Sequence, residues 1–155
     1  MAKKKSVVKI PSELSGTAGE YFVAGQLSRL GHIASINLKN TKGVDILAMN
    51  TKATRSVMIQ VKANQGSDRK WLMSKKAETM INDSLFYVFV NLNGRDGLPD
   101  FYVVPSAAVA QYGKETHQRW LDTPGKKKQA HKDNNMRLFR DPNDQYKGRW
   151  DLLGL

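Results

Sequence analysis

The run Leu85-Phe-Tyr-Val-Phe-Val90, closed by Asn91, constrains this chain more than any other stretch. It is far short of a bilayer span and reads instead as a strand buried on both faces. Such a strand needs a packed layer above and below it, which points to a mixed α/β structure. A length of 155 residues suits one domain that buries its own core. The absence of cysteine excludes a disulfide scaffold and every cysteine-based zinc site, and it fits a reducing compartment. Met1-Ala-Lys-Lys-Lys5 looks like the start of a signal peptide, but Ser6-Val-Val-Lys-Ile-Pro11 breaks any hydrophobic continuation. A cytoplasmic protein without a membrane segment is therefore expected.

Around that strand the chain divides by punctuation. Residues 1–11 read as a flexible basic arm ended by Pro11. Ser12 can cap a helix whose apolar positions Leu14, Ala18, Phe22, Ala24, Leu27 and Leu30 recur at helical spacing up to Gly31. Gly16, Gly19 and Gly25 weaken this helix and imply that it packs closely on something flat. Three short stretches follow, His32–Asn37, Gly43–Asn50 and Ser56–Ala63, and each reads as a strand. Residues 64–73 read as a polar loop ending in Trp71-Leu-Met73, and a short helix is expected from Ser74 to about Asn82. After the Leu85–Asn91 strand come a strand Phe101–Val104 and a helix from Ala107 to about Leu121, capped by Ser106. A core over 12–121 is followed by a basic loop and tail, 122–155, packed on the same domain.

Charge is distributed unevenly. The chain carries a formal net charge of +11. Residues 1–9 contribute +4, 39–76 contribute +7 and 114–140 contribute +5, while the remaining segments together are negative. That is the footprint of a surface that meets a polyanion. An anionic membrane fits less well, since no basic amphipathic helix with a bulky apolar face accompanies the lysines.

Most familiar chemistries fall away. His32, His117 and His131 lack metal-ligand spacing, no Ser or Thr lies in a nucleophile elbow, and no thiol exists. Gly16-Thr-Ala-Gly19 and Pro124-Gly-Lys-Lys127 lack the context of a phosphate loop. One constellation remains. Asp45 is an acid in an otherwise apolar strand, and Gln60 and Lys62 share one face of the next, about 6–7 Å apart along it. Glu20 is the acid in the centre of the first helix, which can bring it to the same patch. Two carboxylates, an amide oxygen and an ammonium make a hard-oxygen site for Mg²⁺ with a cation beside it, a set that suits phosphodiester hydrolysis.

At these residues the sequence resembles the PD-(D/E)XK nuclease superfamily, which includes restriction enzymes and Holliday-junction resolvases. Glu20 in Gly19-Glu20-Tyr21 is similar to its helical acid, Asp45 in Gly-Val-Asp-Ile to its metal-binding acid, and Gln60-Val-Lys62 to its acid-x-Lys motif. The full set is also similar to a small stand-alone bacterial branch of that superfamily. The resemblance implies a restriction-endonuclease-like αβββαβ core, a mixed central sheet flanked by helices, with a C-terminal helix and irregular tail. It further implies a Mg²⁺-dependent endonuclease, with Mn²⁺ as a substitute, in which Asp45, Gln60 and Glu20 hold the metal and Lys62 orients water. Gln60 departs from the usual Asp or Glu, which lowers the negative charge of the site and leaves room for a fold kept for binding alone.

Nucleic acid, with DNA as the expected polymer, is then the partner. Lys39 and Lys42 before the Asp45 strand, and Arg69, Lys70 and Trp71 after the Lys62 strand, are candidates to grip phosphates or stack on a base. Core anchoring is the plainer role for Trp71. Lys126, Lys127 and Lys128 form a second basic run that adds salt-dependent affinity. The resemblance also allows a homodimer, for which Val104–Ala110 or the tail are candidate surfaces. Two alternatives stand beside the nuclease: a non-catalytic nucleic-acid-binding module on the same fold, and an accessory interaction protein of a defence or mobile-element system.

Overall fold

The computed structural model describes residues 9–37 and 42–155, so the basic arm up to Val8 and Lys39 lie outside the described residues. Helix α1 (Ser12–Arg29) leads into β1 (Ile33–Ile36), β2 (Ile46–Met49) and β3 (Ser56–Asn64). Next come β4 (Lys70–Ser74), a 3₁₀ turn (Lys75–Glu78), β5 (Leu85–Asn91) and β6 (Asp100–Pro105). Helix α2 (Ser106–Asp122), β7 (Met136–Arg140) and a second 3₁₀ turn (Trp150–Leu153) complete the order. The main sheet runs β1-β2-β3-β5-β6, and β3 and β5 are its parallel pair, while β4 and β7 form a separate two-stranded sheet. Among the described residues no helix is long and apolar enough to cross a membrane.

Strand β5 is buried at every residue, as its apolar run requires. Its two faces feed two different cores. Phe86, Val88 and Val90 join Ile46, Ile59, Val61 and Val103 beneath Val23 and Leu27 of α1. Tyr87 and Phe89 point the other way, into an aromatic cluster with Trp71, Tyr102 and Phe139, covered by Val109 of α2. The Phe89 and Phe139 rings stack with centroids 4.5 Å apart.

Several expectations need correction. The stripe that α1 buries is Ser15, Gly19, Val23 and Leu27, one residue every turn, whereas Leu14, Phe22 and Leu30 are exposed. The helix presents small residues to the sheet because it lies close to it. Of its glycines, Gly19 alone meets a neighbour at its Cβ position. The expected helix over 74–82 is one 3₁₀ turn, and Lys70–Ser74, expected as loop, is a strand whose partner β7 lies in the supposedly irregular tail. The parallel pair β3–β5 needs a crossover, and β4 with its 3₁₀ turn provides it without a full helix. Val104, Val109 and Ala110 are at most 1% exposed inside the aromatic core, so they offer no surface to a second copy.

Candidate functional site

The site grows from a mismatch in strand length. β2 pairs with β3 only as far as Ile59, so Gln60 to Asn64 project past the end of β2. Asp45 sits at this fork, one residue ahead of β2 rather than in the middle of a strand. Its backbone N–H donates to Ile59 O at 2.9 Å, and its own carbonyl accepts from Asn37 N–H at 2.8 Å. Its Oδ2 accepts from Val61 N–H at 2.7 Å, so the carboxylate closes the ladder where a strand carbonyl is missing. The Gly-Val-Asp sequence has a local reason as well. Gly43 has φ +82°, and a Cβ there would run into the Met80 side chain, so only glycine lets the chain turn tightly against that wall before Asp45.

Helix α1 covers the exposed length of β3. A Cβ on Gly19 would stand 2.8 Å from Ala63 Cβ and 3.3 Å from Val61 Cγ1, closer than side chains tolerate. This approach delivers the next residue, Glu20, to the fork. Its carboxyl is pushed above the ordinary value, first by burial and then by the negative charge of Asp45, with Lys62 acting in the opposite sense. Glu20, Asp45 and Lys62 therefore share one electrostatic neighbourhood.

On the other face of β3, Gln60 and Lys62 line a cavity of about 230 Å³ together with Lys42, Lys76 and Tyr87. Met73 and Met80 supply its apolar wall. Three ammonium groups thus border one cavity. The Tyr87 hydroxyl is buried without a hydrogen-bond partner, and burial followed by the Asp45 charge raises its pKa. The wall is held by a buried pair: the Arg137 guanidinium, 2% exposed, donates to the Glu78 carboxylate at the end of the 3₁₀ turn. Lys75, at the start of that turn, pairs with Asp133 at 2.9 Å.

The other candidates are dispersed. Lys42 reaches the cavity. Arg69 forms an ion pair with Asp144 at 2.7 Å, and Lys70 is exposed at the start of β4. Trp71 is 2% exposed, and its Nε1–H donates to Val90 O at 3.0 Å, so it anchors the aromatic core and has no ring face for a base. Lys126, Lys127 and Lys128 are exposed on the loop after α2. Lys76 and Tyr87 escaped the sequence reading. Tyr87 was hidden within the apolar run, and Lys76 reaches the cavity only because its expected helix is a single turn.

Among the described residues no group of three His, Cys, Asp or Glu side chains could hold a metal ion. The donors at the fork are instead two carboxylates and one amide oxygen, all hard, which fit a small divalent cation that keeps several waters. The unpartnered Tyr87 hydroxyl beside Gln60 adds a polar wall suited to an ordered water.

The chain thus combines a mixed sheet, an acid at the β2–β3 fork, an amide and an ammonium alternating along β3, and a covering helix that carries a second acid. No family model matches the chain, and no curated protein matches its sequence. Solved structures do. The bacterial homing endonuclease I-Ssp6803I superposes with a TM-score of 0.58 at 16% identity over 94% of each chain, which shows the fold. Hjc, a Holliday junction resolvase from Archaeoglobus fulgidus, is similar at a TM-score of 0.45 and 13% identity, over 81% of this chain and 84% of that one.

Proposed function

We propose that the chain is a metal-dependent endonuclease that hydrolyses phosphodiester bonds of nucleic acid, with DNA as its polymer. The observation that carries this reading is the joint placement of Glu20 and Asp45 at the fork with Gln60 and Lys62 on the strand beside it. Asp45, Gln60 and Glu20 would hold Mg²⁺, or Mn²⁺ in its place. Bound there, the cation supplies positive charge to the phosphate and acidifies a water. Lys62 orients the attacking water and offsets the charge that develops as a P–O bond forms and the bond to the leaving sugar oxygen breaks. Lys42 and Lys76 neutralise flanking phosphates, and the Met80 wall keeps bulk water from that side.

The test is cleavage of plasmid, linear duplex, single strand, four-way junction and RNA with Mg²⁺ or Mn²⁺. EDTA and Lys62→Ala protein serve as controls. Cutting that requires metal and is lost in Lys62→Ala supports the assignment and gives the substrate class. Uncut substrates that nonetheless bind, with affinity falling steeply as salt rises, favour a second reading, a binding module without catalysis. The neutral Gln60 is the observation behind that alternative. Restoring the acid separates the two: Gln60→Glu should keep or increase cutting and lower the metal requirement of a working site.

A further inference from the structure

A second cleft, of about 370 Å³, lies between α2 and β7 and shares no lining residue with the first. Tyr112 and Trp120 of α2 and Met136 and Leu138 of β7 give it aromatic and apolar walls, and its charged lining comes from arginine and histidine, Arg140 and His117 among them. No carboxylate lines it. Trp120 is 39% exposed, unusual for an indole in a chain that buries Trp71 completely. It is nonetheless held in place, since the His131 ring stacks on it with centroids 4.1 Å apart and planes 26° apart. Two acids reach residues of the cleft lining, and both are paired: Glu78 with the Arg137 guanidinium, and Asp133 with His117 at 2.8 Å, Lys75 at 2.9 Å and Arg137 at 3.4 Å. Arg119, Lys126, Lys127, Lys128 and Lys132 are exposed on α2 and the loop that leads to β7.

A fixed aromatic plate beside a cation, with no acid facing the space, is complementary to a ligand that is both flat and anionic. We propose that this cleft binds a nucleoside phosphate, its base on the Trp120 indole and its phosphate on Arg140 with the loop lysines. The ligand is either a free nucleotide or an unpaired nucleotide of a bound strand. The inference rests on the reading that the chain engages nucleic acid, but not on catalysis at the fork. Stacking of this kind tolerates any base, because every base has a π-face, so little sequence preference is expected.

The experiment measures binding of a fluorescently labelled short single strand to the whole chain in EDTA, where cleavage is off. Trp120→Leu should weaken binding about tenfold, while Trp120→Phe, which keeps a stacking ring, should stay within about threefold of the parent. A strand with abasic sites should bind the parent chain as weakly as the intact strand binds Trp120→Leu. In a second arm AMP should quench tryptophan emission of the parent but not of Trp120→Leu, and inorganic phosphate should not quench either. A response to AMP alone assigns the cleft to a free nucleotide, and a response to the strand alone assigns it to the polymer. Strand binding that is equal for the parent and a folded Trp120→Leu, or for intact and abasic strands, together with AMP quenching that does not depend on Trp120, overturns the proposal. Cleavage by the same preparation, scored against Lys62→Ala, tells that outcome apart from failure of the nuclease reading.

Discussion

The two faces of the main sheet are built by different means. Under α1 the core is mainly aliphatic, Val, Ile and Leu around Phe86, and the helix approaches so closely that Gly19 is needed. Under α2 the core is aromatic, and the short elements β4, β7 and a 3₁₀ turn flank the helix over it. What holds them is side-chain chemistry: the Glu78–Arg137 and Lys75–Asp133 pairs and the Trp71 indole on Val90 O. The first face positions both carboxylates of the candidate site through backbone geometry. The second supplies the wall of the cavity that bears Met73, Lys76 and Met80. On the proposed function the two carboxylates are set by the face held by backbone packing, whereas Gln60, Lys62 and the lysines that would meet phosphates line the cavity on the face held by polar clamps.

The comparison can be broken most severely in the aromatic core. Trp71→Ala should lower stability by about 3–5 kcal/mol, through lost burial and an orphaned Val90 carbonyl, as measured by urea unfolding. Glu78→Ala leaves the buried Arg137 charge with only the longer contact to exposed Asp133 and should cost about 3 kcal/mol. Hydrogen exchange should then quicken in β4 and β7 while β2 and β3 stay protected, and uniform loss of protection would contradict the separation of the two faces. Gly19→Ala should destabilise by about 1–3 kcal/mol through overpacking. By displacing Glu20 it should also reduce cleavage by about a hundredfold, so intact cleavage would show that Glu20 has no part in the chemistry. Ile59→Val, a single methylene beneath α1, should cost only about 0.5–1.5 kcal/mol and leave cleavage unchanged.

Acid should distinguish the faces more gently. The Asp133 carboxyl is held well below the ordinary range, first by Lys75 and then by His117, and Asp100 is lowered by Asn93 and Lys147. Their contribution is present above the unfolded carboxylate pKa and is lost as pH falls below it through the depressed value. Glu20 is shifted the opposite way, so protonation relieves strain at the fork rather than creating it. Tryptophan emission and exchange near β7 should therefore change only as pH falls below the ordinary carboxylate pKa, whereas exchange in β2 and β3 should hold or slow as Glu20 protonates at higher pH.

The same division governs what the sequence could reveal. From α1 to β3 the strands pair with their chain neighbours, and Pro11, Gly31 and Gly43 mark boundaries along this stretch. Glu20, Asp45, Gln60 and Lys62 could be singled out as candidates for that reason. Strand β4 was not, because Trp71-Leu-Met73 is a brief alternation after a polar loop, and its partner Arg137-Leu-Phe139 lies far along the chain. Lys75–Glu78 looked helical by propensity, and tertiary ion pairs hold it to one turn. The buried stripe of α1 was misread because Ser15 and Gly19 are chosen for smallness, which hydrophobic periodicity does not detect.

The pairing of β4 has a consequence for synthesis. Lys70 to Ser74 meet Arg140 to Met136, partners that leave the ribosome 62 to 70 residues later. The fork with its acids can form as soon as β3 emerges, but the wall bearing Lys76 has no fixed place until then. A nascent chain thus carries its acids before it has a closed cavity to use them in, and β7, made more than sixty residues after β4, completes the enclosure.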